Sequence, residues 1–185
     1  MDERMCSLLG FIGPLTAYVF VGISIASAPW FSWWENALSD LGHATRSDVA
    51  PYFNFGLALA GLLVLIYSVT VFRRHAKYSS LFLAASAFSL QLIAVFDEVY
   101  GSLHFAVSVL FFVSIGIASA AYAIERRSLL AAIAVVVGLA SWTSYWAGIY
   151  EAGIAVPEVV SFTPVASWVV WSAWKIYRGA LIGRK

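Results

Sequence analysis

Apolar side chains run through this chain in long unbroken stretches, and polar positions are gathered between them. Charged residues bound six such stretches, at residues 5–34, 49–72, 78–96, 99–124, 128–150 and 159–174. A membrane-spanning helix needs about 20 apolar residues to cross roughly 30 Å of hydrocarbon. The pattern therefore predicts helices over approximately 7–28, 50–72, 78–97, 102–124, 128–150 and 157–178. The last stretch is the shortest, but Lys175 and Arg178 can lay their stems in lipid while their charges reach the headgroups, which extends it. A closed barrel would need segments of about ten residues with strict alternation, and these stretches do not alternate. The connections are too short for a soluble domain and no repeat relates the two halves. The fold class expected is all-α, a six-helix transmembrane bundle forming a single integral membrane domain over residues 1–185.

The one segment with a different rhythm is Trp30 to His43, WFSWWENALSDLGH. Over residues 33–43, Asn36, Ser39, Asp40 and His43 recur at i, i+3, i+4 and i+7. Trp34, Leu38 and Leu41 occupy the opposite stripe at helical spacing. The spacing predicts a short amphipathic interfacial helix between helices one and two, stopped at Gly42, with its indoles at the boundary of hydrocarbon and water. Ser47 or Asp48 is then the expected cap of helix two, with Pro51 in its first turn.

Composition agrees with the pattern: 62% of the residues are hydrophobic and 11% charged. The net charge of +1 conceals a strong polarity. Arg4, Arg73, Arg74, Lys77, Arg126, Arg127, Lys175, Arg178, Arg184 and Lys185 fall on one set of helix ends, leaving only Arg46 of the eleven cations on the other. Short basic connections stay in the cytoplasm, so both termini are expected there, in a multi-pass protein of the cell membrane. Topology and anionic headgroups account for the basic end without nucleic acid as a partner. Ala26, Ser27 and Ala28 resemble a signal-peptidase site, but the apolar run before them is longer than a signal peptide's, and helix one is expected to remain. Cys6 is the one cysteine, which excludes an internal disulfide, and a packed free thiol is expected.

Seven of the ten carboxylates fall on the outer set of ends: Glu35, Asp40, Asp48, Asp97, Glu98, Glu151 and Glu158, together with His43 and His104. Consecutive helices in a small bundle are neighbours, so the three outer connections should meet around one mouth and share a polar chamber. Asp40, Asp97 and His104 are the candidates for catalysis or metal binding. Asn36, Ser39, Asp40, His43, Asn54, Gln91, Asp97, His104 and Glu151 are the candidate ligand-binding residues, with Gln91 as a pocket floor. His104 lies at the start of a helix, where an ionisable group needs a partner. A backbone carbonyl or Asp40 would serve if it is structural, and a ligand or a transferred proton if it is functional. Asn54, Gln91, Thr143, Ser144 and Thr163 suit interhelical hydrogen bonds. Aromatic rows at Trp142, Tyr145, Trp146 and Ile149, and at Trp168, Trp171 and Trp174, follow helical spacing. They mean packing or lipid contact in the first instance, although aromatic faces beside carboxylates also suit a cationic amphiphile.

The segments NALSDLGHA, APYFNFGLALAGLL and FDEVYGSLHFAVSVLFF resemble the prokaryotic membrane family known as domain of unknown function 998. In that family an SxLG outer loop precedes an FNxGL helix and an LH helix start. The chain is more distantly similar to the eukaryotic autophagy-modulator (DRAM) membrane family, which carries a comparable SDxG loop. The resemblance runs nearly end to end and implies a six-helix membrane protein. It maps family features onto Ser39, Asp40, Leu41, Gly42, Phe53, Asn54, Gly56, Leu57, Leu103 and His104. Asp97 and Glu98 depart from the apolar or proline-containing turn expected there.

Three functions fit these residues. The first is binding or transport of a membrane lipid or small amphiphile, its head group in the outer polar cluster and its tail on the aromatic rows. The second is a metal-dependent hydrolase acting on lipid at the outer leaflet, with Asp40, Asp97, His104 and His43 holding a divalent metal ion that activates water. It distantly resembles alkaline ceramidases, whose sites use three histidines, whereas His75 here falls among the inner cations. The third is a structural or partner-binding protein in which the polar cluster clasps helix hairpins together.

Overall fold

The computed structural model of the protein describes residues 3–182. Six long helices make up the described chain: α1 Glu3–Ala26, α2 Ala50–His75, α3 Lys77–Val95, α4 Ser102–Glu125, α5 Leu129–Trp146 and α6 Ala155–Ile182. Five of them, α1 to α5, are long and apolar enough to cross a membrane. Each helix packs on its chain neighbours, and α6 returns to α1, so the six close into a ring. Connections this short force neighbours to run antiparallel. The starts of α1, α3 and α5 and the finishes of α2, α4 and α6 thus share one end, the basic end. The three longer connections, residues 27–49, 96–101 and 147–154, share the other.

The ring is packed in two layers. Towards the basic end, Trp168 is fully buried, stacks on Tyr122 with ring centroids 4.8 Å apart, and donates from Nε1 to Ser119 Oγ at 3.0 Å. Tyr67 stacks on Phe72 and shares a 2.8 Å hydrogen bond with Ser172. These bonds satisfy the polar handles that buried Tyr and Trp carry. In the other layer Leu41, Val49, Phe53, Leu57, Ile93, Val107 and Phe111 form a second core. Trp171 and Trp174 stay largely exposed, so only Trp168 of that row is core. Small residues let the helices approach: a Cβ on Gly13 would strike Val64, one on Gly56 would strike Phe20, and one on Gly61 would strike Gln91.

The helix limits differ from the sequence pattern where side chains or glycines intervene. Helix α3 stops at Val95, short of 97, because Asp97 instead starts a 3₁₀ turn at Glu98–Tyr100. Helix α5 ends at Trp146, because Gly148 takes a left-handed φ of 65° that breaks the helix before 150. Helix α1 continues through Pro14. In α2 the last turns open into a π segment, Ser68–Phe72, before Arg73.

The expected amphipathic α-helix over 33–43 is not what forms. Turns lead to a short 3₁₀ helix, Leu38–Gly42. The reason lies in the polar residues themselves. Asn36 Oδ1 accepts from the Ser32 amide at 2.9 Å, and Asp40 Oδ2 accepts from the Ala37 amide at 2.9 Å and from Asn36 Nδ2 at 2.9 Å. Short Asn and Asp side chains that bind nearby amides replace the helical ladder with turns. Nor does Ser47 or Asp48 cap α2: Ser47 Oγ donates to the Leu41 carbonyl at 2.7 Å, and Val49 holds the cap position with no side-chain bond.

Candidate functional site at the acidic end

The 27–49 connection lies across the mouth of the ring and is bonded to both other connections of that end. The Leu38 amide donates to Glu158 Oε2, in the first turn of α6, at 2.8 Å. Ser39 Oγ donates to Glu98 Oε1 at 2.5 Å. Backbone contacts reinforce the junction, from Gly153 N to the Trp33 carbonyl at 2.9 Å and from Ala155 N to the Asn36 carbonyl at 3.0 Å. Gly153 is required for this approach, because a Cβ there would collide with the Asn36 backbone.

Asp40, Glu98 and Glu158 are thereby gathered into one group, in which Asp40 raises the proton affinity of Glu98. Glu98 lies in the connection between α3 and α4. Burial pushes its carboxyl above the ordinary carboxylate range; the Ser39 hydroxyl opposes the shift, Asp40 adds to it, and His104 draws it back. His104, buried in the first turn of α4, lies with Nδ1 2.8 Å from the Phe96 carbonyl and Nε2 3.4 Å from Ser108 Oγ. Of the partners expected for it, the backbone carbonyl is the one it has. The imidazole ties the finish of α3 to the start of α4.

A recess of about 580 Å³ opens beside this group, lined by Ser39, Glu98, His104, Ser108, Trp142 and Glu158 among others. A second, of about 220 Å³, runs between helices under apolar walls that include Tyr18, Val21, Phe53, Leu57 and Phe162. The two share Ser39, Ser108, Phe112 and Glu158. Trp142 Nε1, in the wall of the larger recess, is buried without a hydrogen-bond partner.

The sequence-predicted residues divide accordingly. Ser39, Asp40 and His104 come together, with Asn36 holding Asp40. Asp97 does not join them: its Oδ1 accepts from the Val99 amide at 2.8 Å and caps its own turn. Glu151 is exposed on the far connection. His43 faces Thr45 Oγ1, 3.3 Å from Nδ1, within its own loop. Asn54 donates to the Gly42 carbonyl at 2.8 Å, and Gln91 packs on Gly61 and reaches only the Ala87 carbonyl of its own helix, so it floors neither recess. Thr163 does bridge helices, accepting from the Tyr18 hydroxyl at 3.0 Å. Glu98 and Glu158 were absent from the predicted binding set. The signal for Glu158 was its position directly after Pro157, in a helix first turn that points at the same mouth.

Asp40, Asp97 and His104 do not fit a metal centre. Asp97 is committed to its cap, and among the described residues no group of three or more His, Cys, Asp or Glu is placed to hold a metal ion.

The motif residues interlock in the structure. Leu41 and Phe53 are buried together, Asn54 holds Gly42, and a Cβ at Gly42 would strike Asn54 and Phe53. Residues 11–175 match the model of the family described as "Protein of unknown function (DUF998)", and the chain belongs to that family. No curated protein and no solved structure matches it.

Proposed function

As a member of the DUF998 family, we propose, this chain is a multi-pass protein of the cell membrane that binds a lipid or small amphiphile at its outer end. The observation that carries the reading is the sharing of Ser39, Ser108, Phe112 and Glu158 between a recess rimmed with carboxylates and a groove walled by apolar side chains. A pocket with apolar walls and a few convergent polar groups is where small molecules bind. An amphiphile would set its head against Ser39, Glu98 and Glu158 and lay its tail along Tyr18, Leu57 and Phe162. Acceptors outnumber cations at that rim, so a head group carrying a positive charge or several donors suits it best. In this reading α6 crosses the membrane with the other five helices, since it packs along α1 and α5. The basic end faces the cytoplasm with both termini, and the Trp30–Trp34 segment lies at the outer interface.

The test uses the full chain in zwitterionic nanodiscs. A long-chain alkyl amine should raise the unfolding temperature in a dose-dependent way and be retained in native mass spectra. An alcohol of equal chain length should do neither, and Glu158→Gln should weaken the amine's effect. No stabilisation and no retained amphiphile would refute the reading.

A second reading, the clasp, is favoured by the bonds from Leu38, Ser39, Asn36 and Trp33 to the other two connections. In it the same polar group only holds hairpins together. The amine titration separates the two, because a clasp predicts stability insensitive to amphiphile.

A further inference from the structure

We infer a second binding site, at the basic end, for a phosphate-bearing anion. It is distinct from the proposed amphiphile site in position and chemistry and does not rest on it. A recess of about 540 Å³ lies between the start of α1, the π segment of α2 and the start of α3. Charged side chains make up half of the residues that line it, whereas apolar side chains form most of the walls at the acidic end. Among the described residues Arg73, Arg74 and Lys77 supply three cations to it and Glu3 one carboxylate.

Two features make this more than the ordinary basic rim of a membrane protein. First, the sequence concentrates these cations by geometry. The π segment Ser68–Phe72 carries the chain directly into Arg73 and Arg74, and Ala76, fully buried with an extended backbone, turns it so that Lys77 opens α3 on the same recess. Second, the internal anion does not neutralise them. Arg74 Nη1 meets Glu3 Oε1 at 2.7 Å, but both side chains are largely exposed, at 74% and 49%, and such a pair is weakly held. Counted over the described residues, the wall sets three cations against one carboxylate. Among the described residues the other carboxylate of the basic end, Glu125, is committed elsewhere, accepting from the Tyr78 and Ser79 amides and the Ser79 hydroxyl at the start of α3. Arginine's forked donors match phosphate oxygens, and lysine adds a point charge. Basic pockets between helices at a membrane surface take phosphate head groups by this chemistry. The phosphate can belong to an anionic lipid or to a soluble anion, and the recess opens where both are present.

The experiment uses the full chain in phosphatidylcholine nanodiscs with and without phosphatidic acid, and in detergent with inorganic phosphate. Lipid retention is read by native mass spectrometry, and affinity by thermal shift. Stabilisation by phosphatidic acid but not by inorganic phosphate would assign the site to a lipid, and the reverse to a soluble anion. Arg73→Gln combined with Lys77→Gln should weaken whichever anion binds by about tenfold or more. The double change Arg127→Gln with Arg178→Gln removes the same charge from exposed positions outside the recess, and should weaken it less than about twofold. Glu3→Gln should tighten binding, since it frees Arg74 without touching the fold. Equal losses from the two double variants, no effect of Glu3→Gln, or no response to either probe would overturn the inference.

Discussion

At Gly153 the chain passes so close to the Asn36 backbone that one added carbon has no room, whereas at Gly22, on α1, a Cβ would meet nothing within 4 Å. The two glycines therefore make a matched test of how the acidic end is held. Gly153→Ala must push apart the hydrogen bonds from Gly153 to Trp33 and from Ala155 to Asn36. The expected cost is about 1–3 kcal/mol, the range for forcing a methyl into a packed site. Gly22→Ala should leave stability unchanged or raise it, since alanine is the better helix former by about 1 kcal/mol. Thermal unfolding of both variants in one detergent checks the pair, and equal behaviour would mean that the junction carries no stability. Nothing in the sequence marked Gly153 out. Its constraint comes from a segment in another connection, and a steric contact of that kind leaves no periodic trace. Ser39 and His104 were legible because a polar residue beside an apolar run raises the question of its partner. Glu98 was harder, since Asp97 next to it looked equally suited, and only the turn decides which of the two faces the recess.

Between elements, the same end is held by carboxylates brought close together, so its stability should depend on pH in a definite sense. Glu98 has its proton affinity raised in the fold by burial and by Asp40, so the native state holds that proton at pH values where the unfolded chain has released it. A group raised in this way contributes stability at pH values below its ordinary one, and the contribution fades as pH climbs through the raised value. Relative to Glu98→Gln, which keeps an acceptor for Ser39, the wild-type unfolding temperature in detergent should accordingly decline as pH rises above the ordinary carboxylate value. A wild-type stability that does not decline with rising pH relative to Glu98→Gln would contradict the assignment. The helices themselves were legible in the sequence because each satisfies its own backbone, and an uncharged run of sufficient length leaves few alternatives. The connection departs from the helix that its spacing predicts for the converse reason. Its i, i+4 spacing is real, but Asn36 and Asp40 use their side chains on local amides, and hydrogen bonding of that sort outweighs periodicity in a short segment.

For the molecule as a whole, the closed ring follows from antiparallel neighbours in chain order with α6 returning to α1, and it gives the protein two chemically opposite ends. One collects Glu98, Glu158 and Asp40, the other Arg73, Arg74, Lys77, Arg126 and Arg127. The order of the helices around the ring was readable from the short connections, but which acids would face a recess depended on turn geometry that the sequence does not state. The two-ended charge also predicts how the ring sits in its membrane. If retention of basic connections sets orientation, the α4–α5 turn is cytoplasmic and the 147–154 connection is outside. Both sites can be probed by single cysteines, because Cys6 is 1% exposed and can be replaced by serine to remove any background. In that background an impermeant maleimide should label Glu151→Cys in intact cells and Arg127→Cys only after lysis, since both positions are exposed in the structure. Labelling in the opposite order would invert the molecule. The carboxylate-rimmed recess would then face the cytoplasm, and the phosphate site at the basic end would open to the outside.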